Sequence, residues 1–259
     1  MALLHIDPTT SFDAMDEGEL SALLLKWAST DERQTMSDSE IQTYMNTVIP
    51  RALFFKNLPM NARVLDLGAG DGGLSVYKEW PIPARKDVKM YALSLEWTER
   101  FEKYEAVELG DFEKMDPDFG GVRFDGVVCA HFIEHMTSID HTLDYLDRRI
   151  APGGRMYFEW PHAASKRLPK RQSFIDVGLP TFTTNFFDDQ THVDTWQMSD
   201  VAAGLAERGF QIESAGRTYM PYLADALKSI ARRNNDIVCG TFAIWLKTGF
   251  AQYLVATKV

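Results

Sequence analysis

The segment Val64-Leu65-Asp66-Leu67-Gly68-Ala69-Gly70-Asp71-Gly72-Gly73 constrains this chain more than any other. A short, mostly apolar run stops at three glycines spaced two apart, with an acid two residues before the first. Glycine adopts left-handed backbone without strain and presents no Cβ to a ligand. A glycine turn directly behind a strand is what close approach to a nucleotide-type cofactor requires. Asp66 adds a carboxylate that can hold an amino group or order the loop, and it suits a cationic cofactor better than a pyrophosphate.

From residue 63 onward, short apolar runs alternate with helical patterns. Arg63–Leu67, Lys89–Leu93, Ala106–Leu109, Phe124–Ala130 and Arg155–Trp160 read as strands. Ile139, Leu143, Leu146 and Ile150 line one helix face, which Ala151-Pro152-Gly153-Gly154 ends with turn residues. Ser94 reads as the cap of a helix beginning at Leu95. Strands separated by helices imply a parallel sheet with crossover connections. Upstream, a loose start precedes a short helix around Glu19 to Ala28. Ser37 and Glu40 then form a capping-box pattern, with Ile41, Met45 and Val48 at helical spacing behind it and Pro50 kinking or restarting the helix. Downstream, residues 161–195 show no clean periodicity, and a loop of that length is a functional lid or a disordered segment. Ser199 reads as the cap of a helix ending at Gly209, followed by a strand at Phe210–Ser214 and a helix over 222–233. The apolar runs Ile237–Leu246 and Phe250–Ala256 read as two strands of a terminal hairpin.

Composition narrows the function classes. The chain has 259 residues, enough for one large domain with a core that needs no disulfide support. Its 27 Lys+Arg against 37 Asp+Glu give a net charge of -10, which argues against a broad nucleic-acid footprint. Cys129 and Cys239 make no disulfide framework and read as buried thiols. The first twenty residues show no basic segment followed by an apolar run. The longest apolar stretch is about half of what a bilayer span requires. These readings point to a soluble cytoplasmic protein.

The motif DLGAGDG at 66–72 resembles the class I S-adenosylmethionine-dependent methyltransferases. Phe124 through His135 is similar to that family's fourth strand and the segment behind it, and Ala151-Pro152-Gly153-Gly154 to the turn before its fifth. Gly110-Asp111-Phe112 is similar to the end of its third strand, where an acid meets the adenine amino group and an apolar neighbour covers the ring. The resemblance spans about residues 63–160 and implies an α/β fold: a Rossmann-like, mostly parallel seven-stranded sheet with helices on both faces. It also implies an N-terminal helical cap over residues 1–60, a methyltransferase domain over 61–259, and a lid or acceptor loop at 161–195. The implied cofactor is S-adenosylmethionine, held by Asp66, Gly68, Ala69, Gly70, Gly72, Asp111, Phe112, Ala130 and His131. The family's ribose-binding acid at the end of strand two has no match, since Tyr91-Ala92-Leu93-Ser94 places Ala92 there. Glu96 is the candidate substitute. Trp27, Tyr44 and Phe54 either line the acceptor pocket under the cap or belong to the core.

Three histidines are candidates for removing a proton from the acceptor: His131 at the end of strand four, His162 after strand five, and His192 in the long loop. His131-Phe132-Ile133-Glu134-His135 also matches HxxEH, a zinc-peptidase pattern when it lies on a helix. Here it follows a strand, and no metal is expected; a divalent ion on some of His131, His135, His141 and His192 is not demanded by their spacing. Lys166-Arg167-Leu168-Pro169-Lys170-Arg171 reads as an anion clamp or a solvated loop. Asn185 to Trp196 is similar to the loop after strand five in methyltransferases of sugar and natural-product pathways. The implied function is methyl transfer to an oxygen, or a nitrogen, of a small-molecule acceptor, anionic ones among the candidates, without nucleic-acid or membrane partners. The alternatives are a non-methylating enzyme on the same fold, prompted by Ala92, and a cofactor-binding protein without catalysis.

Overall fold

The computed structural model describes residues 12–30, 36–80 and 83–259; the expected loose start at residues 1–11 lies outside them. In chain order the elements are α1 (Glu17–Ser29), α2 (Asp38–Val48), α3 (Pro50–Lys56), β1 (Arg63–Leu67), α4 (Val76–Glu79), β2 (Lys89–Ser94), β3 (Ala106–Leu109), β4 (Phe124–Ala130), α5 (Ile139–Arg149), β5 (Ile150–Pro161), α6 (Arg171–Asp176), α7 (Met198–Glu207), β6 (Phe210–Arg217), α8 (Pro221–Asn234), α9 (Ile237–Thr248) and β7 (Ala251–Lys258). They group into two compact units.

The larger unit, residues 42–160, 193–216 and 252–259, holds a seven-stranded sheet in the order β3-β2-β1-β4-β5-β7-β6. The pairs β2–β3, β1–β2, β1–β4 and β4–β5 are parallel. Successive strand residues point to opposite faces. Leu65, Leu67, Val127, Cys129, Met156 and Phe158 join one core layer with Leu143 and Leu146 of α5 and Val201 and Leu205 of α7. Val64, Met90, Ala92, Val128 and Tyr157 join the other with Phe54 and Phe55 of α3. A sheet covered on both faces needs apolar residues at every position, so its strands read as continuous apolar runs. Pro50 restarts the chain as the first residue of α3, behind Ile49 as cap.

In the smaller unit, residues 1–41, 161–192 and 217–251, the described regular elements are mainly helices. Its hub is Trp27 of α1, which is 1% exposed. The indole Nε1 donates to Asp225 at 2.7 Å, and Lys228 Nζ donates to the Trp27 carbonyl at 2.8 Å. The ammonium groups of Lys228 and Lys247 sit 4.8 and 5.2 Å from the ring centroid. Burying two lysines is tolerable because each meets a carbonyl, a carboxylate or the ring face. Trp27 and Phe54 are therefore core residues, while Tyr44 is exposed. The Ser37–Glu40 capping box forms, with Ser37 N–H donating to Glu40 Oε2 at 2.7 Å and Glu40 N–H returning to Ser37 Oγ at 3.3 Å.

Several sequence expectations need correction. Residues 237–246 form a helix, so there is no terminal hairpin, and β7 alone is a strand. An unbroken apolar run does not distinguish a buried strand from a buried helix. Here the ends decide: Asp236 accepts from the N–H groups of Val238 and Cys239, and Gly249 closes the helix at φ 62°. Ser94 is the last residue of β2 rather than a helix cap, because its hydroxyl donates to the Gly70 carbonyl at 3.0 Å. Ser199 lies inside α7, whose cap position is Gln197. Residues 161–195 contain α6 and short 3-10 turns.

Gly240, inside α9, marks a close approach: a Cβ there would lie 1.9 Å from the Pro180 carbonyl oxygen. Glycine to alanine within a helix ordinarily gains about 1 kcal/mol. At Gly240 the clash is with backbone, so the sign reverses, and Gly240→Ala is expected to destabilise by about 2 kcal/mol or more. Urea unfolding checks this; a midpoint equal to or above wild type would refute the contact.

Candidate active site

The glycine turn follows β1, and Gly68, Gly70 and Gly72 all take positive φ, at 76°, 53° and 78°. At Gly68 the requirement is also steric, because a Cβ would lie 2.3 Å from the Phe132 ring. At Gly70 nothing lies within 4 Å of the Cβ position, so the turn opens a space there. The turn is pinned from the neighbouring strand by Ala69 N–H, which donates to the Leu93 carbonyl at 2.8 Å. Thr98 Oγ1 donates to the Asp71 carbonyl at 2.9 Å, and Arg100 pairs with the Asp71 carboxylate.

Asp66 is buried, and its Oδ2 accepts from Tyr104 OH at 2.8 Å. Burial pushes its carboxyl up to about 7, against the Tyr104 hydrogen bond and the nearby Arg51 charge, with Asp71 adding to the rise. Ala92 is not at the end of strand two. It pairs with Asp66 in mid-strand and is wholly buried, so the position where an acid was expected is interior. The strand ends at Ser94, whose hydroxyl is engaged by the turn. Glu96 lies two residues beyond, exposed and outside any helix.

At the end of β3, Asp111 caps a 3-10 turn by accepting from Glu113 N–H at 3.1 Å, and it pairs with Lys114 at 2.7 Å. Phe112 is buried in the core against Phe132, His141 and Tyr145.

The end of β4 carries the densest charge network. Ala130 pairs with Glu159 across the sheet, and His131 follows with a left-handed φ of 54°. His131 N–H donates to the Glu159 carbonyl at 2.7 Å. Its ring is bracketed: Nδ1 lies 3.2 Å from Glu134 Oε1, and Nε2 lies 3.3 Å from Glu159 Oε1. Arg51 of α3 closes the network with Nη2 2.7 Å from Glu159 Oε1, and Tyr157 OH donates to Glu159 Oε2. Burial pulls the His131 pKa down, but the two carboxylates more than offset it and the net shift is upward. Burial likewise raises Glu159, yet Arg51 and His131 hold it well below the usual carboxylate range. The two carboxylates that bracket the ring favour its protonated form, which has no lone pair with which to take a proton. Nor does the zinc-peptidase pattern apply, since Ile133–His135 is a single 3-10 turn.

The other two histidines differ in tautomer. His162 Nδ1 accepts from Ala164 N–H at 3.1 Å, so the neutral ring carries its proton on Nε2. Burial, reinforced by Arg217 and opposed by Asp13, lowers its pKa. His192 Nδ1 lies 2.7 Å from the Phe186 carbonyl, which can only accept. The proton of the neutral ring is therefore on Nδ1, and the lone pair is on Nε2.

Half of the basic cluster is committed to the fold. Arg167 donates to the carbonyls of Asp13 and Met15, and Lys166 Nζ sits 4.9 Å from the Phe186 ring centroid. Lys170 and Arg171 are exposed. Arg51, Glu159 and Tyr104 went unnoticed in the sequence. The available signal was a lone charge in an apolar run: Glu159 between Phe158 and Trp160, and Arg51 just ahead of Ala52 and Leu53.

A family model described as a methyltransferase domain matches residues 37–215, more than half of the chain. No curated protein matches it in sequence. Among solved structures, coclaurine N-methyltransferase bound to N-methylheliamine and S-adenosylhomocysteine is similar with a TM-score of 0.51 at 13% identity, over 88% of this chain and 76% of that one. A candidate sarcosine dimethylglycine methyltransferase from Galdieria sulphuraria reaches 0.50 at 16% identity, over 98% and 93%. A candidate S-adenosylmethionine dependent methyltransferase from Listeria monocytogenes reaches 0.50 at 17%, over 80% and 96%. At such identities the likeness speaks to the fold, and the domain match over residues 37–215 speaks to the family. The chain belongs to the methyltransferase domain family, the group its glycine turn and sheet order already indicated.

Proposed function

We propose that the protein transfers a methyl group from S-adenosylmethionine to a hydroxyl of a small-molecule acceptor. The observation that carries this reading is the glycine turn behind β1. Three left-handed glycines and the open space at Gly70 make a cradle that a side chain would fill. That cradle fits the cofactor, which when bound supplies an electrophilic methyl on a cationic sulfur. Gly68, Ala69, Gly70 and Gly72 would hold it through backbone, with Asp66 ordering the turn from beneath. Asp111 and Phe112, Ala130 and His131, and Glu96 stand at the ends of β3, β4 and β2, where ligands of such sheets bind.

Oxygen is the favoured acceptor atom, with nitrogen the alternative, and His192 is the residue proposed as the base that takes the hydroxyl proton. An amine acceptor would not require it. His131, bracketed by Glu134 and Glu159, braces the ends of β4 and β5. Because Arg167 and Lys166 serve the fold, neutral hydroxylated acceptors come before anionic ones. Among the described residues no helix is long and apolar enough to cross a membrane. Both cysteines are free thiols, which suits a reducing cytoplasm.

Calorimetry with S-adenosylmethionine and S-adenosylhomocysteine is the first test, and both are expected to bind. Once an acceptor is found, His192→Ala should lower kcat by about 100-fold or more while leaving cofactor affinity unchanged. A folded protein that binds neither ligand would remove the reading. An unchanged kcat would remove His192 as the base.

A further inference from the structure

Three consecutive carbonyls of the glycine turn are held by one short segment, residues 94–104. Ser94 Oγ donates to Gly70 O at 3.0 Å, Thr98 Oγ1 to Asp71 O at 2.9 Å, and Tyr104 OH reaches Gly72 O at 3.3 Å. Gly72 packs on the same segment, where a Cβ would lie 3.1 Å from both Arg100 Cβ and the Phe101 ring. Of the three hydroxyls, that of Tyr104 alone also reaches a buried carboxylate, at 2.8 Å from Asp66 Oδ2. One hydroxyl proton thus faces two acceptors, one on the floor of the turn and one in the turn itself.

We propose that Tyr104 is a positioning residue for the cofactor turn, coupling the shape of the turn to the charge on Asp66. With Asp66 ionised, the carboxylate is the stronger acceptor and takes the Tyr104 proton. With Asp66 neutral, its own proton can be donated to the Tyr104 oxygen, and the hydroxyl proton swings to the Gly72 carbonyl. The turn is pulled toward the segment in the second state and released in the first. Asp66 is faced by Tyr104, by Arg51 of α3, by Asp71 of the turn and by Cys129 of β4. Burial sets its carboxyl at about 7, so both states are populated near neutral pH. A cationic cofactor favours the ionised state.

This inference rests on the reading that the turn holds S-adenosylmethionine, and calorimetry across pH 6 to 8 separates the two. Wild-type affinity for S-adenosylmethionine is expected to rise with pH. In Tyr104→Phe, Asp66 loses a hydrogen bond that lowers its pKa, so the midpoint of that rise moves to higher pH. Affinity at pH 7 should fall about tenfold. A side chain that only filled space would leave the midpoint in place. In Asp66→Asn the rise should shrink to the part set by other groups, such as His131 and the cofactor's own amino group. As a readout that needs no ligand, the Asp66 carboxyl carbon, followed by NMR, should titrate at higher pH in Tyr104→Phe. A Tyr104→Phe profile that superimposes on wild type, or a rise in Asp66→Asn with the midpoint and size of wild type, overturns the coupling alone. Wild type binding neither S-adenosylmethionine nor S-adenosylhomocysteine at any pH overturns both readings.

Discussion

Gly68→Ala is expected to abolish cofactor binding at ordinary ligand concentrations and to destabilise the fold. Two costs add. An alanine at φ 76° pays about 1–2 kcal/mol for left-handed backbone. Its Cβ would also lie 2.3, 2.7 and 2.9 Å from Cδ2, Cγ and Cβ of Phe132. Contact with Phe132 Cβ means that no ring rotation relieves the overlap. Either the turn or the segment after β4 must move, and both lie at the crevice. A displacement worth about 3 kcal/mol corresponds to a loss of roughly 100-fold in affinity. Calorimetry and urea unfolding measure the two effects. The double variant Gly68→Ala/Phe132→Ala should recover part of both, because it removes the clash and leaves only the backbone strain. Recovery of neither would show that Phe132 is not what restricts position 68.

The second large effect is expected at Arg51. Arg51→Ala leaves Glu159 buried beside His131 without its guanidinium partner. Breaking a buried pair by deleting one member costs about 3–5 kcal/mol. In a chain of this size the midpoint of thermal unfolding should fall by roughly 10 °C. Neutralising the survivor should recover much of the loss, so Arg51→Met/Glu159→Gln is expected to be more stable than Arg51→Ala. A drop of only a degree or two would mean that water reaches Glu159. The pH profile carries its own signature. Glu159 has a depressed pKa, so its contribution is present above about 4.5 and is lost as pH falls through the folded value. His131 has a raised pKa, so its contribution is complete below 6.5 and is lost as pH climbs through the folded value. The network therefore stabilises most between those limits. In Arg51→Ala the acid limb should move to higher pH, since Glu159 has lost its strongest cation.

The parts of this molecule that were legible in its sequence are the parts governed by local rules. The glycine turn announced itself because positive φ and close approach admit almost one residue type. The strands β1 to β4 announced themselves because a sheet covered on both faces makes short unbroken apolar runs, whereas β5 begins at Ile150 and takes in the residues read as a helix end and turn. The same property misled at 237–246, where a helix buried nearly all round looks like a strand. Ala92 was misplaced because strand ends are set by hydrogen bonds to neighbours, and Ser94 gains its bond from a turn 24 residues earlier. The charge network was invisible for a stronger reason. Arg51 and Glu159 lie 108 positions apart, and no periodicity links them. The histidines illustrate a further limit. Their letters are identical, but His131, His162 and His192 differ in which nitrogen carries a proton, and that depends on partners only the fold supplies.

The helical unit built around Trp27 has a consequence for synthesis on the ribosome. Trp27 is made 198 residues ahead of its partner Asp225. At about 5–20 residues per second, α1 waits roughly 10–40 s before the surface it docks on exists. During that interval Leu20, Leu24 and Trp27, all buried in the finished protein, have no native partner from α8 or α9. α1 is thus made well ahead of the surface it docks on, and the nascent chain presents an apolar stripe to holdase chaperones while the residues between them are synthesised.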